Sequence, residues 1–152
     1  KFPMKSKSKS AYLLAIHKTM NRHIFHGLIA GLVSALAGVG YSVMYQGVMF
    51  LDFNEVLGYP SIIGTSILSC GIMSIAYLSL EKLNKLKLKG IVNVVIVLFS
   101  FFSILIPISI SLPLDVDFPE LFPGLVIPMH FFPALIFFGL NPFFHNSSSH
   151  EQ

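Results

Sequence analysis

The chain has 152 residues, of which 54% are hydrophobic and 11% are charged, and its mean hydropathy is +0.76. A soluble domain has about 25% charged residues, so this chain lacks the polar side chains needed to cover a water-soluble core. The net charge of +3 does not indicate nucleic-acid binding, because the basic residues form two blocks beside apolar segments, as at a cytoplasmic membrane surface. The composition therefore predicts an integral membrane protein whose only certain partner is the lipid bilayer.

The N-terminal segment, residues 1–23, is basic and is predicted to be a cytoplasmic tail whose first ten residues are disordered. Met20 resembles a natural start, in which case the residues before it are an extension. A signal peptide cleaved near residues 34–38, where the sequence reads SALAG, is the alternative. The apolar run continues to Leu51, whereas a cleavable apolar core has about 7–15 residues, so a retained first span is favoured.

Four apolar runs follow, at about 24–45, 62–80, 91–112 and 124–144, and none contains Asp, Glu, Lys or Arg. Each is close to the roughly 20 residues that an α-helix needs to cross the hydrocarbon. The runs do not show the alternation of a membrane β-strand. The sequence predicts an all-α membrane protein, an antiparallel bundle of four transmembrane helices over residues 24–145, followed by a polar cytoplasmic tail at 146–152.

The charge distribution predicts the orientation. All ten Lys and Arg residues lie before Ile24 or between Lys82 and Lys89, and five of the seven acids lie in the other two loops. By the positive-inside rule both termini are cytoplasmic and the two acidic loops are external. The pattern resembles that of small four-span proteins of the bacterial inner membrane, and this resemblance implies a location and no activity.

One face of the first span carries small residues three or four positions apart, which lets a neighbouring helix approach closely in lipid. The same pattern occurs in the second span at Ser66, Cys70 and Ser74. We expect this face to pack within the bundle, with contact to another subunit as the alternative. The predicted helix-packing face of the first span consists of Gly27, Gly31, Ala35 and Gly38.

The two external loops share the pattern D-F-x-E, beginning at Asp52 and at Asp117. This repeat suggests that the bundle consists of two related helical hairpins. The Asp and Glu of each copy have the spacing of a capping box at a short interfacial helix, which would place Phe53 and Phe118 in the interface. The alternative is an external acidic cluster that attracts a cation or a basic partner, formed by Asp52, Glu55, Asp115, Asp117 and Glu120.

His130 is the one ionisable side chain that the sequence places inside a span away from its ends, and such residues are candidates for function. It lies between Pro128 and Pro133, which are predicted to bend the fourth helix. A structural role in packing is the competing interpretation. A haem between His26 and His145, with His23 nearby, is disfavoured because no further ligand pattern accompanies them. No metal or cofactor is predicted.

The sequence contains no hydrolase or nucleotide-binding motif, and we expect a protein without enzymatic activity. The first functional expectation is an accessory or scaffold subunit of a larger membrane assembly, with other membrane proteins as partners. The alternatives are a small oligomeric transporter or channel with an acidic external opening, and a membrane enzyme that handles a lipid or cofactor. A pocket for a lipid or quinone tail would have His130 as its only evident polar anchor.

Overall fold

The computed structural model describes residues 5–110, 112 and 116–145, with side chains at position 17 and, within those ranges, from 19 to 144. The described residues form helices and connecting turns, with no strand among them. The α-helices are α1 (Lys5–Met49), α2 (Tyr59–Lys82), α3 (Lys89–Ser103), α4 (Leu105–Ser109), α5 (Phe122–Met129) and α6 (Phe132–His145). Two short 3-10 helices, Leu86–Leu88 and Pro119–Leu121, precede α3 and α5.

Four helical segments are long and apolar enough to cross a membrane. They are Thr19–Met49, Tyr59–Lys82, Leu86–Ser109 and Pro119–Phe144. Each contains most or all of one predicted span, which confirms that the chain has four apolar helical segments. The third segment contains α3 and α4, and the fourth contains α5 and α6, so two of the four are interrupted.

The first helix is longer than the sequence predicts, because α1 begins at Lys5 and continues without interruption to Met49. The expectation that the first ten residues are disordered is therefore wrong from Lys5 onward. The physical reason lies in the cooperativity of helices: the apolar segment provides the nucleus, and extending an existing helix costs little. No Gly or Pro stands between Lys5 and His26 to stop the extension.

The small-residue face of α1 lies directly against α2. A Cβ atom at Gly27 would lie 2.6 Å from Ser74 Cβ, one at Gly31 would lie 2.9 Å from Ile67 Cα, and one at Gly38 would lie 2.8 Å from Ile62 Cγ2. Ala35, the fourth member of the face, is buried. As residue numbers rise along α1 they fall along α2, so the two helices run in opposite directions.

The third segment packs much more loosely than the first two. No residue of α3 is buried, and its side chains are exposed over most of the helix surface. Val92 and Ile96 make its contact with the central core, which Tyr77 and Phe137 help to form. Polar residues follow only one face of α3, at Lys89, Asn93, Ser100 and Ser103. The rest of its exposed surface is mainly apolar and fits a membrane environment.

The fourth segment breaks at His130 and Phe131, between α5 and α6, where the sequence predicts a bend. Pro128 has no N–H, so the carbonyl of Gly124 loses its helical partner four residues later. Tyr41 of α1 supplies the missing donor, because its hydroxyl donates to Gly124 O at 2.9 Å. Tyr45 donates to Leu121 O, also at 2.9 Å. Two tyrosines of α1 therefore hold the proline-interrupted start of the fourth segment.

The two loops that share D-F-x-E have different structures. In the first, Phe53 is fully buried and its N–H donates to Gln46 Oε1 at 2.6 Å, while Asp52 Oδ1 accepts from Asn54 N at 2.9 Å. In the second, Phe118 is 61% exposed and has a positive φ of 50°, and no side chain caps the 3-10 helix that follows it. The predicted pair of equivalent capping boxes is therefore wrong, because the buried Gln46 side chain positions only the first loop.

Candidate functional site

The predicted acidic residues lie apart from the core that packs between the two loops sharing D-F-x-E. Asp52, Glu55, Asp117 and Glu120 are all exposed, and Asp115 lies outside the described residues. The two loops do meet, but through aromatic side chains: the rings of Phe53 and Phe122 contact edge to face at 5.5 Å. Among the described residues no group of three His, Cys, Asp or Glu side chains is arranged to hold a metal ion. An acidic site that includes Asp115 stays a prediction.

A cleft of about 580 Å³ lies between α2, α3 and the α5–α6 break, with Gly38 of α1 at its back. Its residues on α2 run from Ile62 to Met73, and its residues on α3 run from Val95 to Ser103. The cleft therefore extends from the end of the bundle that carries the acidic loops to just past its middle. Aliphatic and aromatic side chains form most of its wall. Its polar residues are Thr65, Ser66, Ser69, Ser100, Ser103 and His130.

His130 lies at the helix break and lines this cleft. Its Nδ1 lies 2.9 Å from Val126 O, and because a carbonyl oxygen only accepts, Nδ1 must carry the proton. In the neutral imidazole, Nε2 is then a hydrogen-bond acceptor, and no described residue bonds to it. The carbonyl that the histidine uses belongs to α5, four residues back along the chain. His130 thus offers the cleft an acceptor on a side chain of fixed orientation.

Three hydroxyl groups of the cleft resemble His130 in that they have donated their proton elsewhere and can accept a hydrogen bond. Thr65 donates to Ser61 O at 2.7 Å, Ser100 donates to Ile96 O at 3.1 Å, and Ser103 donates to Ser100 O at 2.8 Å. Each hydroxyl proton is directed to a backbone carbonyl of its own helix, and each oxygen keeps lone pairs for accepting. His130 and these three hydroxyls therefore present acceptors to the cleft, whereas the hydroxyls of Ser66 and Ser69 make no hydrogen bond to a described residue and can donate as well as accept. Neither a carboxylate nor an ammonium or guanidinium group lines the cleft.

At the opposite end of the bundle, a charged cluster joins α1 to α2. Arg22 Nη2 lies 3.3 and 3.2 Å from the two carboxylate oxygens of Glu81, and His23 Nε2 lies 2.6 Å from Glu81 Oε2. Ser74 donates to the carbonyl of His23. The sequence does not single out this cluster, because Glu81 appears there as one acid beside four lysines. Its position is the available signal: Glu81 lies one residue after an apolar span, where a carboxylate can reach the start of the apolar part of α1.

His26 is fully buried near this cluster, with its ring stacked on Phe137 at 4.3 Å and on Phe144 at 4.8 Å. Its Nε2 lies 3.1 Å from Phe137 O, so the nitrogen that a haem iron would use contacts the backbone of α6. The side chain of His145 lies outside the described residues. The structure thus gives His26 a packing role between α1 and α6.

Comparison with known proteins provides no relative from which to infer a role. No protein-family model, curated protein or solved structure matches the chain.

Proposed function

We propose that this chain is a multi-pass protein of the bacterial inner membrane, an antiparallel bundle of four transmembrane helices with both termini in the cytoplasm. The four apolar helical segments support the spanning arrangement. The ten basic residues, all before Ile24 or within 82–89, support the orientation by the positive-inside rule. In this arrangement the cleft extends from the external side of the bundle to just past the middle of the bilayer. The relation between the two hairpins stays a prediction from the loop sequences alone.

Within this framework, the chain is proposed to bind an uncharged, long-chain molecule that carries a hydroxyl group. The observation that carries the proposal is the cleft, an apolar cavity inside the membrane whose polar residues offer hydrogen-bond acceptors. The apolar wall suits a hydrocarbon chain. A ligand hydroxyl would donate to His130 Nε2 or to a wall hydroxyl, which replaces the interaction that the ligand loses on leaving the interface. A charged headgroup would have no counter-charge here.

The proposed role is to bind this molecule without catalysis. Lipid binding would then be the task of the accessory subunit that the sequence suggests. An accessory protein that holds a lipid can present it to, or withhold it from, a neighbouring subunit. No observation favours the transporter over this role, since none of the four described external acids lines the cleft.

Photolabelling tests the proposal. The purified full-length chain in mild detergent would be exposed to a diazirine-bearing C16 alcohol or to its methyl ether, which has the same chain but no donor. We expect stronger labelling by the alcohol, on peptides from α2, α3 and the α5–α6 break. The variant His130→Leu should reduce the preference for the alcohol, because it removes one acceptor.

A matched pair of substitutions controls for general effects on the helix. Ser69→Phe introduces a large side chain into the cleft and should abolish the preferential labelling. Ser79→Phe places the same side chain on an exposed position of the same helix and should leave the labelling unchanged. Equal labelling by the alcohol and the ether, or equal effects of the two Phe substitutions, would contradict the proposed site.

A further inference from the structure

A second site, at the opposite end of the bundle from the cleft, concerns the charge of Lys89. The Glu81 carboxylate is already engaged by Arg22 and His23. The Lys89 ammonium lies 3.4 Å from Asn141 Oδ1 and 5.0 Å above the centre of the Tyr77 ring. No described carboxylate lies within salt-bridge distance of it. Lys89 therefore has no ion-pair partner among the described residues.

Lys89 also differs from the other lysines of its loop in burial. Lys82, Lys85 and Lys87 are exposed, whereas Lys89 is half-buried between α2, α3 and α6. Beyond ion-pair distance, Arg22 repels the Lys89 ammonium and Glu81 attracts it. An external anion would stabilise an ammonium group in this position, because the charge is partly withdrawn from water and is therefore screened less by the solvent.

The position of Lys89 indicates which class of anion can lie close to it. Lys89 is the first residue of α3 and lies just before the third apolar run, which places it at the boundary between hydrocarbon and headgroups. In the proposed orientation that boundary is the cytoplasmic one, where anionic lipids present phosphate groups. The exposed rings and aliphatic side chains of α3 continue from this point into the bilayer and would lie beside the acyl chains.

We propose that Lys89, with Tyr77 and Asn141 positioning its ammonium, binds the phosphate of an anionic phospholipid of the cytoplasmic leaflet. The contact is a charge-assisted hydrogen bond from Nζ to a phosphate oxygen. The exposed lysines of the 82–89 loop add a diffuse attraction that does not depend on their individual positions. The lipid, rather than a soluble anion, is the ligand because its acyl chains extend the contact along α3.

The test uses the full-length chain in a neutral detergent, with binding of phosphatidylglycerol and phosphatidylcholine measured by native mass spectrometry. The wild-type chain should bind phosphatidylglycerol more tightly. Lys89→Gln should weaken that binding about fivefold, and Lys89→Arg should retain most of it. Lys85→Gln, which removes an equal charge from an exposed position of the same loop, should change it less than about twofold.

Three results would overturn the assignment. Equal losses in Lys89→Gln and Lys85→Gln would show that the attraction is diffuse. Equal affinity of the wild-type chain for the two lipids would show that no phosphate-selective site exists, since phosphatidylcholine is neutral overall. Displacement of phosphatidylglycerol by inorganic phosphate at the same concentration would show that the site takes a soluble anion. A melting curve of Lys89→Gln that matches the wild type in lipid-free detergent confirms that the variant is folded.

Discussion

At the scale of single residues, prolines and polar side chains act together within the apolar segments. A proline inside a helix frees a carbonyl, and a free carbonyl in hydrocarbon is costly. In this chain the carbonyl freed by Pro128 accepts from Tyr41. Gly124 also gives Tyr45 room, because a Cβ atom there would lie 2.5 Å from the Tyr45 hydroxyl oxygen. The proline bend of the fourth segment is thus stabilised by a specific donor on the first.

This pairing can be tested with a double-mutant cycle. Tyr41→Phe removes the donor to Gly124 O and should lower the free energy of unfolding by about 1 kcal/mol. In a Pro128→Ala background residue 128 regains its N–H, which can donate to Gly124 O, so Tyr41→Phe should cost markedly less there. Unfolding in a graded series of denaturing detergent measures both differences. An equal cost of Tyr41→Phe in the two backgrounds would show that the proline and the tyrosine are not coupled.

Several contacts of single residues cannot be predicted from the sequence, because their partners lie far away along the chain or on other helices. His130 is visible as a polar residue among prolines, and its place on a cleft wall follows only from the packing of three helices. Glu81 and Gln46 are not conspicuous in the sequence, because the partners of Glu81 are 58 and 59 positions away and Gln46 acts on a loop backbone. Phe53 and Phe118 occupy the same motif position, but Phe53 is held by Gln46 and packs on Phe122, whereas Phe118 is exposed.

At the scale of elements, the contact between α1 and α2 is the most extensive one among the described helices. The small-residue spacing predicts the interacting face of α1, because backbones can approach only where side chains are small. The face of α2 is also predictable, since Ser66, Cys70 and Ser74 are all buried. The polar residues Lys89, Asn93, Ser100 and Ser103 follow one face of α3, but their spacing does not show how loosely that face packs, which depends on the positions of the other helices.

Two glycines of α1 give a matched comparison for this interface. Gly31→Leu would place a Cβ atom 2.9 Å from the Ile67 backbone, so the helices would have to separate. We expect a loss of roughly 2 kcal/mol or more of stability, by analogy with overpacked cores, and a lower yield of folded protein. Gly40→Leu makes the same change where no atom lies within 4 Å and should be tolerated. Size-exclusion profiles and detergent melting curves would compare the two, and similar behaviour would contradict the α1–α2 packing.

At the scale of the whole molecule, the charge asymmetry and the four apolar segments determine the proposed topology. The sequence alone predicts the number of segments and their approximate limits, because hydropathy over about 20 residues is sufficient for that purpose. It does not predict the cleft, since a cavity depends on how loosely α3 packs and on where the fourth segment breaks. The fold was therefore largely accessible from the sequence, and the proposed binding site was not.

The single cysteine of the chain makes the orientation testable by labelling. In a Cys70→Ala background, Glu55→Cys and Lys85→Cys each introduce one exposed thiol into a loop. A membrane-impermeant maleimide should label the cysteine at position 55 in spheroplasts with intact membranes, and the one at position 85 only after the membrane is opened. The reverse pattern, or labelling of both cysteines in intact spheroplasts, would contradict the proposed orientation.

The central claim is that the cleft holds an uncharged, hydroxyl-bearing lipid, and the most direct measurement is the mass of what remains bound to it. Native mass spectrometry of the wild-type chain, released from mild detergent, should show, besides any anionic phospholipid bound at Lys89, one lipid whose mass and fragmentation identify a neutral molecule with a free hydroxyl. The adduct should be absent from Ser69→Phe and present in Ser79→Phe. An adduct of equal abundance in the two variants, or an anionic lipid displaced from the wild-type chain by Ser69→Phe, would contradict the account.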